Sequence, residues 1–167
     1  MQAACGIECA LKLAAAGRVK RGKIAATVDR RDTRAKLDKL KTRAEWAREA
    51  QAAFNSWVRL RDADQPCISC GRHHGGQYHA GHYLSVGARP ELRFEPLNVH
   101  KQCAPCNTHL SGNAVLYRKA LIVKIGLELV EWLEGAHPAK HYTTQDLAEI
   151  KKTYAGKVRE LKKQEAA

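Results

Sequence analysis

The sequence is poor in acidic residues and lacks long apolar runs. Its 167 residues include 17 Asp and Glu against 29 Lys and Arg, which gives a formal net charge of +12. A surplus of this size favours a polyanionic partner, usually nucleic acid, although a basic protein without such a partner is the alternative. We expect no membrane-spanning segment, because the most apolar stretch, 120–136, is interrupted by charges at Lys124, Glu128, Glu131 and Glu134.

A secretory leader is not recognisable either. The short apolar stretch 11–16 precedes its basic residues, which is the reverse of the order in signal peptides. Four of the six cysteines form two C-x-x-C pairs, a pattern typical of metal-binding or redox-active thiols in a reducing compartment. We therefore expect a cytoplasmic protein.

The two cysteine pairs have the spacing of a zinc site. Cys67 and Cys70 form the first pair, Cys103 and Cys106 form the second, and 32 residues separate the pairs. Four thiolates fill the tetrahedral coordination of zinc and leave no open position, so this zinc would be structural. The alternatives are two redox pairs or four unligated thiols.

Three polar residues lie beside these pairs in an order typical of nucleases. His82 and Asn98 lie between the pairs, and Asn107 follows the last cysteine. Phosphodiester hydrolysis needs a base that activates water and a divalent cation on the phosphate. In the ββα-metal (HNH-type) arrangement the His is the base, the first Asn fixes its strand, and a helical residue binds the catalytic metal. The order predicts these roles for His82, Asn98 and Asn107; the alternative for His82 is a packed core histidine.

Charge and periodicity divide the chain into four segments. Residues 1–32 form a basic N-terminal arm, and the stretch from Arg18 to Arg48 has twelve basic and four acidic residues. Apolar residues at helical spacing predict one long helix from Thr33 to Arg61 within segment 33–62. Segment 63–115 holds the nuclease-like core, and 116–167 is a helical region. The fold class is α+β, with a zinc-bound ββα-metal (HNH-like, treble-clef) core flanked by long N-terminal and C-terminal helices.

Local patterns predict the elements of the core and the C-terminal region. Two short strands are expected around Tyr78–Tyr83 and Leu92–Phe94, followed by a short helix from Pro105 to Leu110. A further helix, Leu116 to Leu133, is so broadly apolar that we expect burial, with a second subunit as one partner. Thr143 and Asp146 resemble a capping box at the start of the last helix.

Several short motifs resemble the NinG/Rap family of lambdoid phages. The resemblance extends from about Trp46 to Tyr154, and its most specific residues are His79-Ala80-Gly81-His82-Tyr83-Leu84-Ser85, Leu92-Arg93-Phe94, Asn98-Val99-His100-Lys101-Gln102-Cys103, Cys106-Asn107, Ser111-Gly112-Asn113 and Tyr117-Arg118. It implies a structure-specific endonuclease that cleaves branched double-stranded DNA, such as Holliday junctions and D-loops, in phage recombination. It also implies Mg²⁺ or Mn²⁺ as catalytic cofactor and the cytoplasm of a bacterial host. Symmetric cutting of a junction would call for a homodimer.

The sequence departs from the family pattern at two places. Family members carry Asp at the position of His79. If His79 is a ligand of the catalytic metal together with Asn107, imidazole suits Mn²⁺ or a later transition metal better than Mg²⁺. An N-terminal zinc knuckle of the family is represented only by Cys5 and Cys9, which predicts a late start codon or a truncated N-terminus.

Other residues have open roles. Strict strand alternation would place His79 and His82 on opposite faces unless a bulge intervenes. His100 and His109 are further candidate metal ligands. The DNA-binding candidates are Lys101, Asn113, Arg118, Arg30, Arg31 and Arg34. Two alternative functions remain: a non-catalytic, zinc-stabilised DNA-binding module, and an interaction protein of the recombination machinery.

Overall fold

A computed structural model describes residues 6–166 and divides the chain after Lys41 into two units. The first unit contains one helix, α1 (Ile7–Leu40), in which no residue is buried. Its apolar side chains are exposed, as Ile7 and Leu40 illustrate at 83% and 79%. Arg30, Arg31 and Arg34 are exposed as well. The predicted remnant of a zinc knuckle depends on Cys5, which lies outside the described residues.

The single helix predicted from Thr33 to Arg61 is wrong, because the chain leaves the helix at Lys41. Lys41 has extended backbone angles (φ −68°, ψ 135°). Thr42 then caps a new helix, α2 (Arg43–Arg61), through a capping box in which Thr42 and Glu45 each accept a hydrogen bond from the backbone N–H of the other. Such a box satisfies backbone donors that a helix start otherwise leaves unpaired, so Thr42 starts α2 by itself.

The second unit has its main core between α2 and the last helix, α5 (Thr144–Glu165). The buried face of α2 is formed by residues four apart in sequence: Trp46, Ala50, Phe54 and Val58. The Phe54 ring meets the Tyr154 ring of α5 edge-on, with centroids 4.7 Å apart. The capping box predicted for Thr143 and Asp146 at the start of α5 is confirmed.

A two-stranded antiparallel sheet lies between the cysteine pairs. Strand β1 (Tyr78–His82) pairs with β2 (Val99–Cys103) from Tyr78 opposite Cys103 to His82 opposite Val99, without a bulge. The first predicted strand is confirmed, but the second is wrong. Residues 92–94 lie in a loop with two short 3₁₀ turns, Pro90–Leu92 and Pro96–Asn98. β2 is buried along its whole length, polar residues included, so it shows no alternating pattern in the sequence.

The apolar region after the core forms two helices, not the single one predicted. Helices α3 (Ala114–Ile125) and α4 (Leu127–Glu134) meet at Gly126, whose φ of 88° favours glycine. Their buried side chains form a second core cluster with a loop residue: Leu92, Tyr117, Leu121, Val130 and Leu133. Several residues of the predicted apolar stripe are exposed instead: Leu116, Val123 and Leu127. Among the described residues, no helix combines the length and apolar character that crossing a membrane requires.

Candidate functional site

The four paired cysteines converge on one point. The Sγ atoms of Cys67, Cys70, Cys103 and Cys106 all lie within 4.8 Å of one another, and the Cys70 and Cys103 sulfurs are 4.0 Å apart. A tetrahedron with Zn–S bonds of about 2.3 Å has edges of about 3.8 Å, so the set fits zinc with small adjustments. The predicted cluster is confirmed as a group that could bind a metal such as zinc.

Backbone geometry around the first pair shapes the cluster. Gly71 adopts φ +67°, and its N–H donates to the Cys67 carbonyl at 2.8 Å, which closes a tight turn around the pair. The backbone N–H of Cys103 donates to Cys67 Sγ at 3.3 Å. His74 Nε2 lies 3.3 Å from Cys70 Sγ. These contacts surround the sulfurs with N–H groups that stabilise thiolates.

The cysteine pKa values diverge within the cluster. Burial favours a high pKa at Cys67, but backbone N–H groups of Cys70, Cys103 and Ser69 outweigh it and lower the pKa to about 7. Burial raises the pKa of Cys103 to about 12. Four neighbouring thiolates repel one another, and a divalent cation removes that repulsion. The donor set therefore suits a metal ion better than it suits four separate thiols.

His82 is positioned by a backbone carbonyl in the loop between the strands. Its Nε2 lies 3.0 Å from the Arg93 carbonyl oxygen. A carbonyl can only accept, so Nε2 carries a proton and donates it, which leaves the Nδ1 lone pair open. Burial lowers the pKa of His82 below its ordinary 6.5, since it disfavours the charged ring. At neutral pH His82 is thus an uncharged imidazole that can accept a proton at Nδ1.

Asn98 is fully buried and holds the loop together. Its Oδ1 accepts from the Leu84 N–H at 2.9 Å, and its Nδ2 donates to the carbonyls of Leu84 at 3.0 Å and Leu92 at 3.2 Å. The sequence predicts that Asn98 orients His82. Asn98 bonds to Leu84 and Leu92 and not to the His82 ring. The His82 ring is held directly by the Arg93 carbonyl, which accepts from its Nε2–H. Any effect on His82 passes through the loop.

Asn107 lies against β1 on the face that carries His79. Its Nδ2 is 3.0 Å from His79 Nδ1. A Cβ at Gly81 would lie 3.0 Å from Asn107 Oδ1 and 2.1 Å from Gln102 Oε1, so only glycine permits this close approach. The register contains no bulge, so strand alternation directs His82 to the opposite face from His79 and Gly81. The structure brings Asn107 and His79 together at Gly81, next to His82 in sequence.

A buried hydrogen-bond network behind Gly81 was not predicted. The Tyr117 hydroxyl donates to the Gly81 carbonyl at 3.0 Å and lies 3.1 Å from His100 Nδ1. Burial, with the charges of Arg61 and Lys124, lowers the pKa of His100 to about 3. The neutral ring can therefore donate through Nδ1 to Tyr117. His100 is a structural partner of Tyr117 and lies outside the metal-ligand cluster, and His109 is exposed.

A polar cleft opens on the outer edge of β1. Its volume is about 530 Å³, and it is lined by Asn55, Arg59, Gln77, Tyr78, His79, Ala80 and Asn107. None of these seven side chains is acidic. Glu95 caps the turn 96–98 by accepting from the Leu97 N–H. The cleft therefore has donors and neutral ligands but no carboxylate for a hard cation.

Three side chains predicted to contact DNA make hydrogen bonds within the protein. Lys101 is buried. Its ammonium group donates to the Ala63 carbonyl and lies 4.5 Å from the centre of the Tyr78 ring. Asn113 has a φ of 46° before α3 and donates to Cys106 Sγ at 3.6 Å, so it supports the cluster. Arg118 donates to both carboxylate oxygens of Glu134, at 2.7 and 2.9 Å. Each of these side chains has a partner within the protein, and the predicted contacts with phosphate stay predictions.

The fold and the site define a helix-rich α+β protein with a β-hairpin and a four-cysteine cluster. The sequence profile described as Bacteriophage Lambda NinG protein matches residues 1–165, so the chain belongs to the NinG family. The NinG part of the predicted family resemblance is thereby confirmed.

Curated relatives named Protein ninG show the same relationship. Those of Salmonella phage P22 and Escherichia phage 933W are each 46% identical over 123 residues, which cover 74% of this chain and 61% of the relative. The relative of Escherichia phage lambda is 46% identical over 123 residues, 74% of this chain and 60% of its own length. The match thus spans about three fifths of the relatives. No solved structure matches the chain.

Proposed function

We propose that this chain is a metal-dependent endonuclease that hydrolyses phosphodiester bonds in branched DNA during phage recombination, with an HNH-like ββα-metal core. The observation that carries the proposal is the fixed state of His82. Its Nε2–H is held by the Arg93 carbonyl, its pKa is lowered by burial, and its Nδ1 is left to accept a proton. A general base for water needs this combination of tautomer and charge.

The His79–Asn107 pair supports a catalytic metal on the face of β1 opposite to the one that carries His82. Two ligands about 2.1 Å from one octahedral ion, at right angles, lie about 3.0 Å apart. The His79 and Asn107 atoms are 3.0 Å apart, and a flip of the Asn107 amide would present its oxygen beside His79 Nδ1. A divalent ion held there would polarise the scissile phosphate and neutralise the leaving oxygen. Mn²⁺ suits this imidazole-amide pair better than Mg²⁺.

The residues on the two faces of β1 have separate roles in the proposed reaction. His82 takes the proton of the attacking water at Nδ1. Asn98 holds the loop that presents the Arg93 carbonyl to His82. The cysteine cluster, with zinc, fixes the start of the turn Pro105–His109 and therefore the position of Asn107. Zinc in a four-cysteine site contributes structure and leaves the chemistry to these side chains.

Charge and exposed apolar surface support the proposed partners. The exposed basic residues of α1, including Arg30, Arg31 and Arg34, would bind phosphates of the DNA arms. The exposed apolar residues Leu116, Val123 and Leu127 offer a surface for a second copy, and a two-fold dimer would match symmetric cleavage of a junction. The place of action would be the cytoplasm of the bacterial host.

The test is cleavage of a synthetic four-way junction by the full chain in a series of divalent metals. We expect cleavage with Mn²⁺, and a loss of at least about a hundredfold in rate for His82→Ala with junction binding retained. Because burial lowers the pKa of His82, the neutral base predominates at pH 7. The rate should be flat above neutrality and fall toward acid as the ring protonates. A His82→Ala protein that cuts at the wild-type rate would exclude His82 as the general base.

The absence of a carboxylate among the cleft-lining residues favours one alternative, a zinc-stabilised DNA-binding module without catalysis. Such a module would bind the junction with a steep salt dependence and leave it uncut in every metal. Binding without cleavage would therefore select the module, whereas cleavage lost in His82→Ala would select the enzyme.

A further inference from the structure

The cleft beside β1 has a polar stripe of α2 as its opposite wall. Gln51, Asn55 and Arg59 are four residues apart, so they lie in one row along the helix. Asn55 and Arg59 line the cleft together with His79 and Asn107. The buried face of α2 lies elsewhere, at Trp46, Ala50, Phe54 and Val58. The residues of this polar row are therefore not part of the buried face by which α2 packs on the core.

A chain of hydrogen bonds fixes which end of Asn55 faces the cleft. Arg93 Nε donates to Gln51 Oε1 at 2.8 Å, and Gln51 Nε2 donates to Asn55 Oδ1 at 2.8 Å. Arginine has only donors, so the amide orientation of Gln51, and then of Asn55, follows from Arg93. The Asn55 side-chain oxygen already accepts from Gln51, and the two N–H donors of the Asn55 amide stay available. Within residues 6–166 they have no hydrogen-bond partner in the protein.

Arg59 is also uncommitted. It is exposed, and within the described part of the chain it forms neither a hydrogen bond nor an ion pair. Several other arginines of the second unit have ion-pair partners: Arg61 pairs with Asp62, Arg89 with Glu91, and Arg118 with Glu134. The guanidinium fork matches the oxygens of a phosphate group in a bidentate arrangement. The cleft thus offers a cation and an amide donor, with no acid among its lining residues to repel an anion.

We propose that Arg59 and Asn55 form a phosphate-binding subsite of this cleft, which holds a backbone phosphodiester of DNA against β1. The inference rests on the proposed nuclease function and names the residues that bind its substrate. Arg93 is a positioning residue, because its carbonyl holds His82 while its side chain orients Gln51 and Asn55. One residue therefore links the orientation of the base to that of the phosphate donors.

Binding of a fluorescent four-way junction, measured across a NaCl series without added divalent metal, tests the subsite independently of cleavage. Arg59→Gln should weaken binding about tenfold and lower the salt slope by about 0.9, as expected for one lost phosphate contact. Arg59→Lys should keep the slope but lose part of the affinity, since it retains charge without the fork. Asn55→Ala should weaken binding about threefold, without a change in slope.

The matched control is Arg48→Gln, which removes the same charge from an exposed site on α2, 11 residues or about 16 Å toward the other end. It should change affinity less than Arg59→Gln. Equal losses for the two variants, or unchanged binding in Arg59→Gln, would overturn the subsite. Far-UV circular dichroism and zinc content should match wild type in every variant.

Cleavage assays separate this inference from the function on which it rests. With wild type active and His82→Ala inactive, Arg59→Gln should raise KM about tenfold with a smaller change in kcat, because a phosphate contact made in the ground state acts on binding. An inactive wild type would overturn the proposed function, while the binding series would still decide the subsite. An active wild type with Arg59→Gln unchanged would overturn the subsite alone.

Discussion

The cysteine cluster and the cleft beside β1 are neighbours in sequence, yet they differ in the properties that decide how each binds metal. The cluster has four sulfur donors within 4.8 Å, and three of its four residues are buried. The cleft has two metal-ligand candidates, His79 and Asn107, 3.0 Å apart at the wall of an open space of about 530 Å³. A closed donor set holds structure, whereas an incomplete one leaves positions for water and substrate.

The two sites are physically joined through β2 and the turn that follows it. Gln102 precedes Cys103, and its Nε2 donates to Ser69 Oγ, between Cys67 and Cys70, at 2.6 Å. The same side chain packs closely against Gly81, and its Oε1 is buried without a hydrogen-bond partner within the described chain. Asn107 directly follows Cys106. The comparison therefore predicts that damage to the cluster destroys both sites, whereas damage to the cleft leaves the fold intact.

The largest effect is expected from the cluster. Cys103→Ser removes one of four ligands, and metal-binding free energy in such sites, on the order of 10 kcal/mol, contributes directly to folding. Wild type should retain about one zinc per chain, and the variant should lose zinc and the cooperative thermal transition of residues 42–166. Cys9→Ser, on α1, should keep both. Zinc-free wild type with an unchanged melting curve would contradict a structural metal.

A substitution at the junction of the two sites should have the next largest effect. Gly81→Ala places a methyl group 2.1 Å from Gln102 Oε1 and 2.9 Å from Gln102 Cβ. Overpacking of this kind costs about 3 kcal/mol and should lower the melting temperature by several degrees. Gly87→Ala is the control, since no atom lies within 4 Å of its added Cβ. Equal melting temperatures for both variants would show that the strand contact is not tight.

The support behind Gly81 should contribute less. Tyr117→Phe leaves the Gly81 carbonyl and His100 Nδ1 without their shared partner, which costs roughly 1–3 kcal/mol. Urea unfolding measures this loss. Tyr154→Phe is matched, because Tyr154 is buried and its hydroxyl has no hydrogen bond within residues 6–166. The hypothesis fails if the two substitutions destabilise equally.

A substitution in the cleft should have the smallest effect on stability. We expect it to change function alone. His79→Asp supplies the carboxylate that a hard cation prefers, so Mg²⁺-supported cleavage should increase relative to Mn²⁺-supported cleavage. The melting temperature and zinc content should stay the same. His73→Asp, in the exposed loop before β1, controls for added charge. An unchanged ratio of the two metal activities would exclude position 79 from the catalytic metal.

The sequence predicted features whose signals are local. The cysteine spacing predicted the cluster, and Thr143 with Asp146 predicted the start of α5. Thr42 and Glu45 carried the same capping signal, but the helical periodicity across it concealed the break at Lys41. Gly126 was likewise a visible interruption between α3 and α4. A single period fitted over a long window hides short elements that end within it.

The missed features depend on contacts between distant segments. β2 contains His100, Lys101 and Gln102, all buried, and their partners Tyr117, Ala63 and Ser69 lie far away in sequence. A strand of this composition does not look like a strand in the sequence. The partner of His82 is a backbone carbonyl, which every residue has, so no residue type could indicate Arg93. The motifs predicted a role for His82, and the hydrogen bond that orients its ring is visible only in the three-dimensional structure.

The capping box at Thr42 has a consequence for how such proteins diversify. Because α2 starts on hydrogen bonds between Thr42 and Glu45, the capping of its first turn comes from residues of the second unit itself. Segments upstream can therefore be lengthened, shortened or exchanged between relatives without fraying the helix that carries Asn55 and Arg59. We therefore expect changes in the chain before Thr42 to leave the capping box at the start of α2 in place.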